Sequence, residues 1–165
     1  WLRQVFTAAP MALAFAGGYL LREYVFDIVR VSGDAMHETL MNGDLALVSK
    51  LDRQQPGAGD VVAVRVRGRQ GVILRRVIGV PGQTVEFKGG ETLVDGSPLI
   101  EHYISLANYE QFPAKTLPHG KYYVCGDNRS EISDSRGEEV GLVSEQDIVG
   151  RVRWVIWPFN HVRTL

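Results

Sequence analysis

The sequence predicts a mainly β domain of short antiparallel strands behind one apolar helix. Two observations carry that prediction. After position 26, apolar residues recur in short runs broken by glycine, the pattern of strands joined by tight turns. Ahead of them, residues 5–21 form a 17-residue stretch without a charge, bounded by Arg3 and by Arg22 and Glu23. As a helix that stretch reaches about 26 Å, slightly short of a bilayer hydrocarbon core of about 30 Å. Pro10, Gly17 and Gly18 weaken a helix in water but are tolerated in a membrane. The expectation is a membrane-anchor helix over residues 1–26 and a β domain over 27–165.

The strands follow in order. Residues 45–48 are a short apolar run, and residues 54–60, with Pro56, Gly57 and Gly59, form a loop. In residues 61–67, Val62, Val64 and Val66 alternate with Ala63, Arg65 and Arg67, which predicts one apolar and one wet face. Residues 72–80 form the next strand, closed by Pro81 and Gly82, and residues 84–87 another. Lys88, Gly89 and Gly90 turn the chain into residues 92–94, and Asp95-Gly96 is a strong hairpin signal. Residues 100–119 lack clear periodicity and read as an irregular surface excursion. Strands resume at 121–125 and at 151–157, the last ended by Pro158.

Composition narrows the function. With 165 residues, 45% of them hydrophobic, the chain can bury one core plus a small lobe. A net charge of -1 gives no general affinity for nucleic acid. The single cysteine, Cys125, excludes an internal disulfide and reads as a small buried apolar residue.

Three blocks stand out. The first runs Val31-Ser32-Gly33-Asp34-Ala35-Met36-His37-Glu38-Thr39-Leu40, followed by Gly43-Asp44. The second is Arg75-Arg76-Val77-Ile78-Gly79-Val80-Pro81-Gly82. The third is Gly126-Asp127-Asn128-Arg129-Ser130-Glu131-Ile132-Ser133-Asp134-Ser135-Arg136. In order and spacing they resemble the G-x-S-M-x-P-T-L, K-R-V-I-G-x-P-G and G-D-N-R-x-x-S-x-D-S-R motifs of the type I signal peptidases, in the short form of Gram-positive bacteria. The resemblance covers nearly the whole chain from about residue 20 onward.

That resemblance implies an antiparallel β fold with a smaller inserted lobe at about 83–121. It implies a single-pass protein of the cell membrane, its main domain on the extracytoplasmic side. The family binds the small-residue end of a signal peptide as an added strand, by main-chain hydrogen bonds and pockets for alternate side chains. Carried onto this sequence, the substrate contacts fall at Val31, Gly33, Met36, Leu40, Ile73 and Leu74. Asp127, Arg129, Asp134, Ser135 and Arg136 fall at supporting positions, with Asp134 placed to pair with Arg136 and Asp127 with Arg129. The implied partners are signal peptides of exported preproteins or pilin-like precursors, membrane lipid and an active paralogue. No nucleic acid, cofactor or metal is implied.

The chemistry departs from the pattern. The family's nucleophilic serine falls at Ala35 and its general-base lysine at Arg75, forty residues apart. Ala35 has no attacking atom. Guanidinium has a pKa above about 12, so Arg75 cannot serve as a base near neutrality. The serine that supports the lysine falls at Ile132, and Glu38 replaces the family proline. An Arg75 beside an apolar Ile132 is expected to turn to solvent or to a carboxylate such as Asp34.

These departures leave three readings open. In the first, a signal-peptidase-like protein holds peptides without cleaving them. In the second, it is an active serine endopeptidase, through a substitute nucleophile or because the dyad was engineered away. In the third, it is a structural partner in an envelope assembly. Ile132 and Glu38 are not changes an experimenter would choose, which favours natural loss. Ser32, Thr39, Ser133 and Ser135 are the hydroxyls near the blocks, and each is a common turn or cap residue. His37 with Asp34 and Glu38 is too sparse a set for a zinc site.

Overall fold

The computed structural model describes residues 14, 16–19, 24–51 and 53–165. Residues 14, 16–19 and 24 have helical backbone, and most of the expected anchor lies outside the described residues. Among the described residues no helix is long and apolar enough to cross a membrane.

Twelve strands follow: β1 (Phe26–Arg30), β2 (Leu45–Ser49), β3 (Val61–Val64), β4 (Ile73–Gly79), β5 (Thr84–Lys88), β6 (Glu91–Val94), β7 (Ser97–Pro98), β8 (Phe112–Thr116), β9 (Lys121–Cys125), β10 (Val143–Ser144), β11 (Ile148–Trp157) and β12 (Arg163–Thr164). The main sheet is curled and antiparallel, in the order β1-β2-β11-β3-β4-β9-β10, with β12 also on β11. A second sheet, β7-β6-β5-β8, is inserted between β4 and β9.

The turns are those the sequence calls for. Asp95 and Gly96 both take positive φ, at 51° and 77°, and close Val94 onto Ser97 as a two-residue hairpin. Gly89 and Gly90 do the same between Lys88 and Glu91.

Two strand expectations change. The β3 run is buried on both faces: Val61 and Ala63 pack with Leu74 and Val155, while Val62 and Val64 pack with Val124 and Ile148. β3 is flanked at its edges by β11 and β4, and an apolar cluster covers each of its faces. The wet residues Arg65 and Arg67 lie beyond its end. Residues 112–116, expected as irregular surface, form β8 and pair with β5. An exposed Pro113 and Lys115 hid that edge strand, which tolerates both residues. A third apolar cluster, including Ile78, Val85, Phe87, Leu117 and Cys125, fills the junction of the two sheets.

Candidate functional site

The first block is the loop between β1 and β2. Val31 continues the ladder, donating its N–H to the Asp44 carbonyl at 2.8 Å and accepting from the Gly43 N–H at 3.0 Å. Inside that closure the loop coils tightly, with Leu40 N–H donating to the Met36 carbonyl at 2.6 Å. Ala35 and Met36 are thereby turned inward and buried. Leu40 is carried past the cleft into the core, packed with Val48 and Val155, and does not line the site as expected.

The third block clamps this loop. The Asn128 N–H donates to the Ala35 carbonyl at 3.0 Å, and Asn128 Nδ2 donates to the Asp34 carbonyl at 3.3 Å. Approach is so close at Gly126 that an added Cβ would lie 2.5 Å from the Ala35 oxygen. Only glycine fits there.

The second block supplies two neighbouring arginines with different tasks. Arg76 forks onto Asp127, with Nε donating to Oδ1 at 2.9 Å and a terminal nitrogen donating to Oδ2 at 2.6 Å. Thr39 donates its hydroxyl to the same Asp127 oxygen at 2.5 Å. One carboxylate thus joins all three blocks, and the Arg76 guanidinium also lies 4.0 Å over the Tyr103 ring. Asp127 therefore does not pair with Arg129 as expected. Arg129, 3% exposed, pairs with Glu101 and donates to the Thr92 hydroxyl at 2.9 Å and the Gly126 carbonyl at 2.9 Å. Two residues apart on a turn, Asp127 and Arg129 face different neighbours. Asp134 and Arg136 do pair, through Nε to Oδ1 at 2.9 Å and a terminal nitrogen to Oδ2 at 2.7 Å. The Ser135 hydroxyl accepts the Val124 N–H at 2.9 Å.

Arg75 is 6% exposed and faces neither solvent nor Asp34. Its Nε and one terminal nitrogen donate to the Ser133 carbonyl at 3.0 and 2.7 Å, and that nitrogen also reaches Ser133 Oγ at 2.7 Å. The other terminal nitrogen donates to the Leu74 carbonyl at 2.7 Å. Burial lowers its pKa from the ordinary guanidinium value, against the opposite pull of Asp134 and Glu131. Ile132 is 37% exposed and does not line the cleft. The polar neighbour of Arg75 is the next residue, Ser133, one position beyond the expected Ile132.

These pieces enclose a cleft of about 320 Å³. Val31, Gly33, Ala35, Met36, Ile73, Leu74 and Arg75 all line it, and Ser32, Ser133, Arg30, Arg69 and Glu131 join them. One wall is the end of β1 and the loop after it. The other is the start of β4, where Ile73, Leu74 and Arg75 pair with β3 on one side. Pairing with β9 begins only at Arg76, so among the described residues no strand pairs with the other side of Ile73–Arg75. An open strand edge beside small apolar walls is the geometry of strand addition.

A larger hollow of about 540 Å³ lies elsewhere and contains none of the expected site residues. There Lys121 donates to Ser144 Oγ at 2.7 Å. Among the described residues no group of three His, Cys, Asp or Glu is arranged to hold a metal ion. Sequence reasoning missed Glu101, the partner of Arg129, and Asn128 as the clamp on Ala35. No local pattern marks Glu101, whereas Asn in a turn between Asp and Arg is a recognisable backbone-bonding residue.

The three blocks of this antiparallel β fold converge on one strand-edge cleft. The signal peptidase, peptidase S26 family matches residues 1–157, and the chain belongs to that family. It is 31% identical to signal peptidase I T of Bacillus subtilis over 99% of this chain and 87% of that protein. It is likewise 31% identical to signal peptidase IB of Staphylococcus aureus, over 93% of this chain and 89% of that one. Among solved structures, signal peptidase I of Enterococcus faecalis superposes with a TM-score of 0.52 at 27% identity, covering 60% of this chain and 97% of that one.

Proposed function

We propose that this signal peptidase I homologue holds extended, signal-peptide-like segments at the membrane surface without cleaving them. The observation that carries the reading is the pair Ala35 and Arg75 lining one open cleft. Hydrolysis by a Ser/Lys dyad needs an attacking oxygen and an amine able to lose a proton. A methyl group and a guanidinium supply neither. Loss of a nucleophile alone lowers turnover by a factor on the order of 10⁶ in a serine protease. The binding half of the task is supported by the edge at Ile73–Arg75, which no strand among the described residues covers, and by the apolar walls at Val31, Met36 and Leu74.

The test compares turnover of a signal-peptide substrate by the wild type and by an Ala35→Ser, Arg75→Lys, Ile132→Ser triple variant. Activity in the variant alone supports the proposal. Family-like turnover by the wild type ends it.

One observation favours a second reading, cleavage through a substitute nucleophile. Ser133 Oγ lines the cleft beside Arg75. Its weakness is that Arg75 donates to that oxygen, and among the described residues none accepts the Ser133 proton. Covalent labelling of Ser133 by an acylating inhibitor would establish it. The third reading, a purely structural partner, is disfavoured by the open cleft. The membrane anchor, pilin-like precursors and an active paralogue remain part of the proposal.

A further inference from the structure

We infer that the cleft selects peptides ending in a free α-carboxylate after small apolar residues, with Arg75 as the group that recognises the carboxylate. The inference rests on the peptide-holding reading above and names the ligand that reading leaves open.

The argument begins with charge. Arg75 is a buried cation, and among the described residues no carboxylate lies within salt-bridge distance of it. Among the described residues, every bond it makes is to Ser133 or to the Leu74 carbonyl, all neutral groups. Four of its five N–H donors are used in those bonds, leaving one. Buried charges are ordinarily paired, and an unpaired one is costly. The other buried arginines obey that rule: Arg129 has Glu101 and Arg136 has Asp134. Arg75 departs from it: Asp134, already paired with Arg136, and Glu131 act on it only from beyond pairing distance, and it departs at the wall of a cleft.

The cleft as a whole agrees. Arg30, Arg69 and Arg75 line it against one carboxylate, Glu131. Arg69 is partly neutralised by Glu139, an exposed pair that weakens the field only modestly. The net lining is cationic, yet the walls beside Arg75 are Val31, Ala35, Met36 and Leu74. A ligand that satisfies both must be small and apolar along its length and anionic at one end. A peptide terminus of alanine-sized residues has that form. In an uncut chain the same atom is a neutral amide carbonyl, which a guanidinium binds more weakly than a carboxylate. Endoproteolysis makes the preferred form, because water added across the amide leaves the acyl side as a carboxylate. The cleft is thus matched to the leading fragment released by a cut.

Fluorescence anisotropy with the full protein tests this. The probe is a labelled apolar peptide ending in Ala-Leu-Ala with a free carboxyl group. Comparators are its C-terminal amide, a longer peptide that continues past the same residues, and an amide-capped peptide carrying its charge on a terminal Asp side chain. The free acid is expected to bind about tenfold tighter than the amide or the continuous peptide. That preference should weaken with salt and disappear in Arg75→Gln, while Arg75→Lys keeps part of it. The wild-type comparison needs no variant to fold. Equal binding of acid, amide and continuous peptide would overturn the inference and leave the peptide-holding reading standing. Equal binding of the Asp-terminated peptide would overturn it too, since charge alone would suffice. Failure of every peptide to bind would remove both.

Discussion

Gly126 stands so close to the Ala35 carbonyl that the loop bearing Ala35 takes its position from the third block. An added Cβ would lie 2.5 Å from that oxygen, and 3.4 Å from the Asn128 carbonyl. Both obstacles are backbone and cannot rotate away. Gly126→Ala should therefore lower stability by about 1–3 kcal/mol. Urea denaturation reads this directly, and an unchanged midpoint would show that the two loops move independently.

Glu38 has φ of +72° and an exposed side chain. A non-glycine residue there carries a penalty of about 1–2 kcal/mol. Glu38→Gly should raise the melting temperature by a few degrees, consistent with about 1 kcal/mol. The family's proline cannot be restored: its ring fixes φ near -65°. Glu38→Pro should cost about 3 kcal/mol or more, unless the loop rebuilds. A Glu38→Pro protein as stable as the wild type would show that the loop has a second accessible geometry.

The carboxylate of Asp127 is shared by Arg76 and Thr39, and its contacts separate by strength. Thr39→Val removes one neutral donor and should cost about 1 kcal/mol. Asp127→Ala strands the Arg76 guanidinium and should cost about 3–5 kcal/mol. Reversal of that order in chemical denaturation would contradict the arrangement. By the same reasoning Glu101→Gln, which leaves Arg129 without a carboxylate, should approach the larger figure.

Stability should fall with rising pH in alkali, first gently and then more steeply. Burial raises the pKa of the Cys125 thiol well above its ordinary value, with Asp134 adding to the shift. The folded thiol stays protonated where the unfolded one, at about 8.5, ionises. Above that pH the unfolded chain binds fewer protons, so stability falls as pH rises, by up to about 1.4 kcal/mol per pH unit. Below it the thiol contributes no slope. Burial also raises the Tyr103 and Tyr123 hydroxyls, which steepens the loss above about pH 10. Denaturation midpoints from pH 7 to 11 give the profile, and a thiol reagent should modify Cys125 only on unfolding.

The fold class and the three converging blocks were legible because they are local signals: period-two runs, paired glycine turns, fixed spacings. Val31, Met36, Ile73 and Leu74 could be placed in one cleft on the family pattern alone. Leu40 could not be told from them, because whether an apolar residue faces a gap or the core depends on how the loop coils. The same limit applied to β3, whose alternation suggested a wet face that tertiary packing covers. Ion-pair partners were the least readable. Asp127 chooses Arg76 over Arg129 across 51 positions of sequence, and Arg129 finds Glu101 in the segment between β7 and β8. Arg75 meets Ser133 and not Ile132 because the irregular segment there presents the Ser133 carbonyl and hydroxyl to the guanidinium.

Neither the Ala35 methyl nor the Arg75 guanidinium takes part in the Asp127 junction that binds the three blocks together. A substitution at either side chain can therefore change what a visitor meets in the crevice while that one carboxylate goes on fastening the three segments.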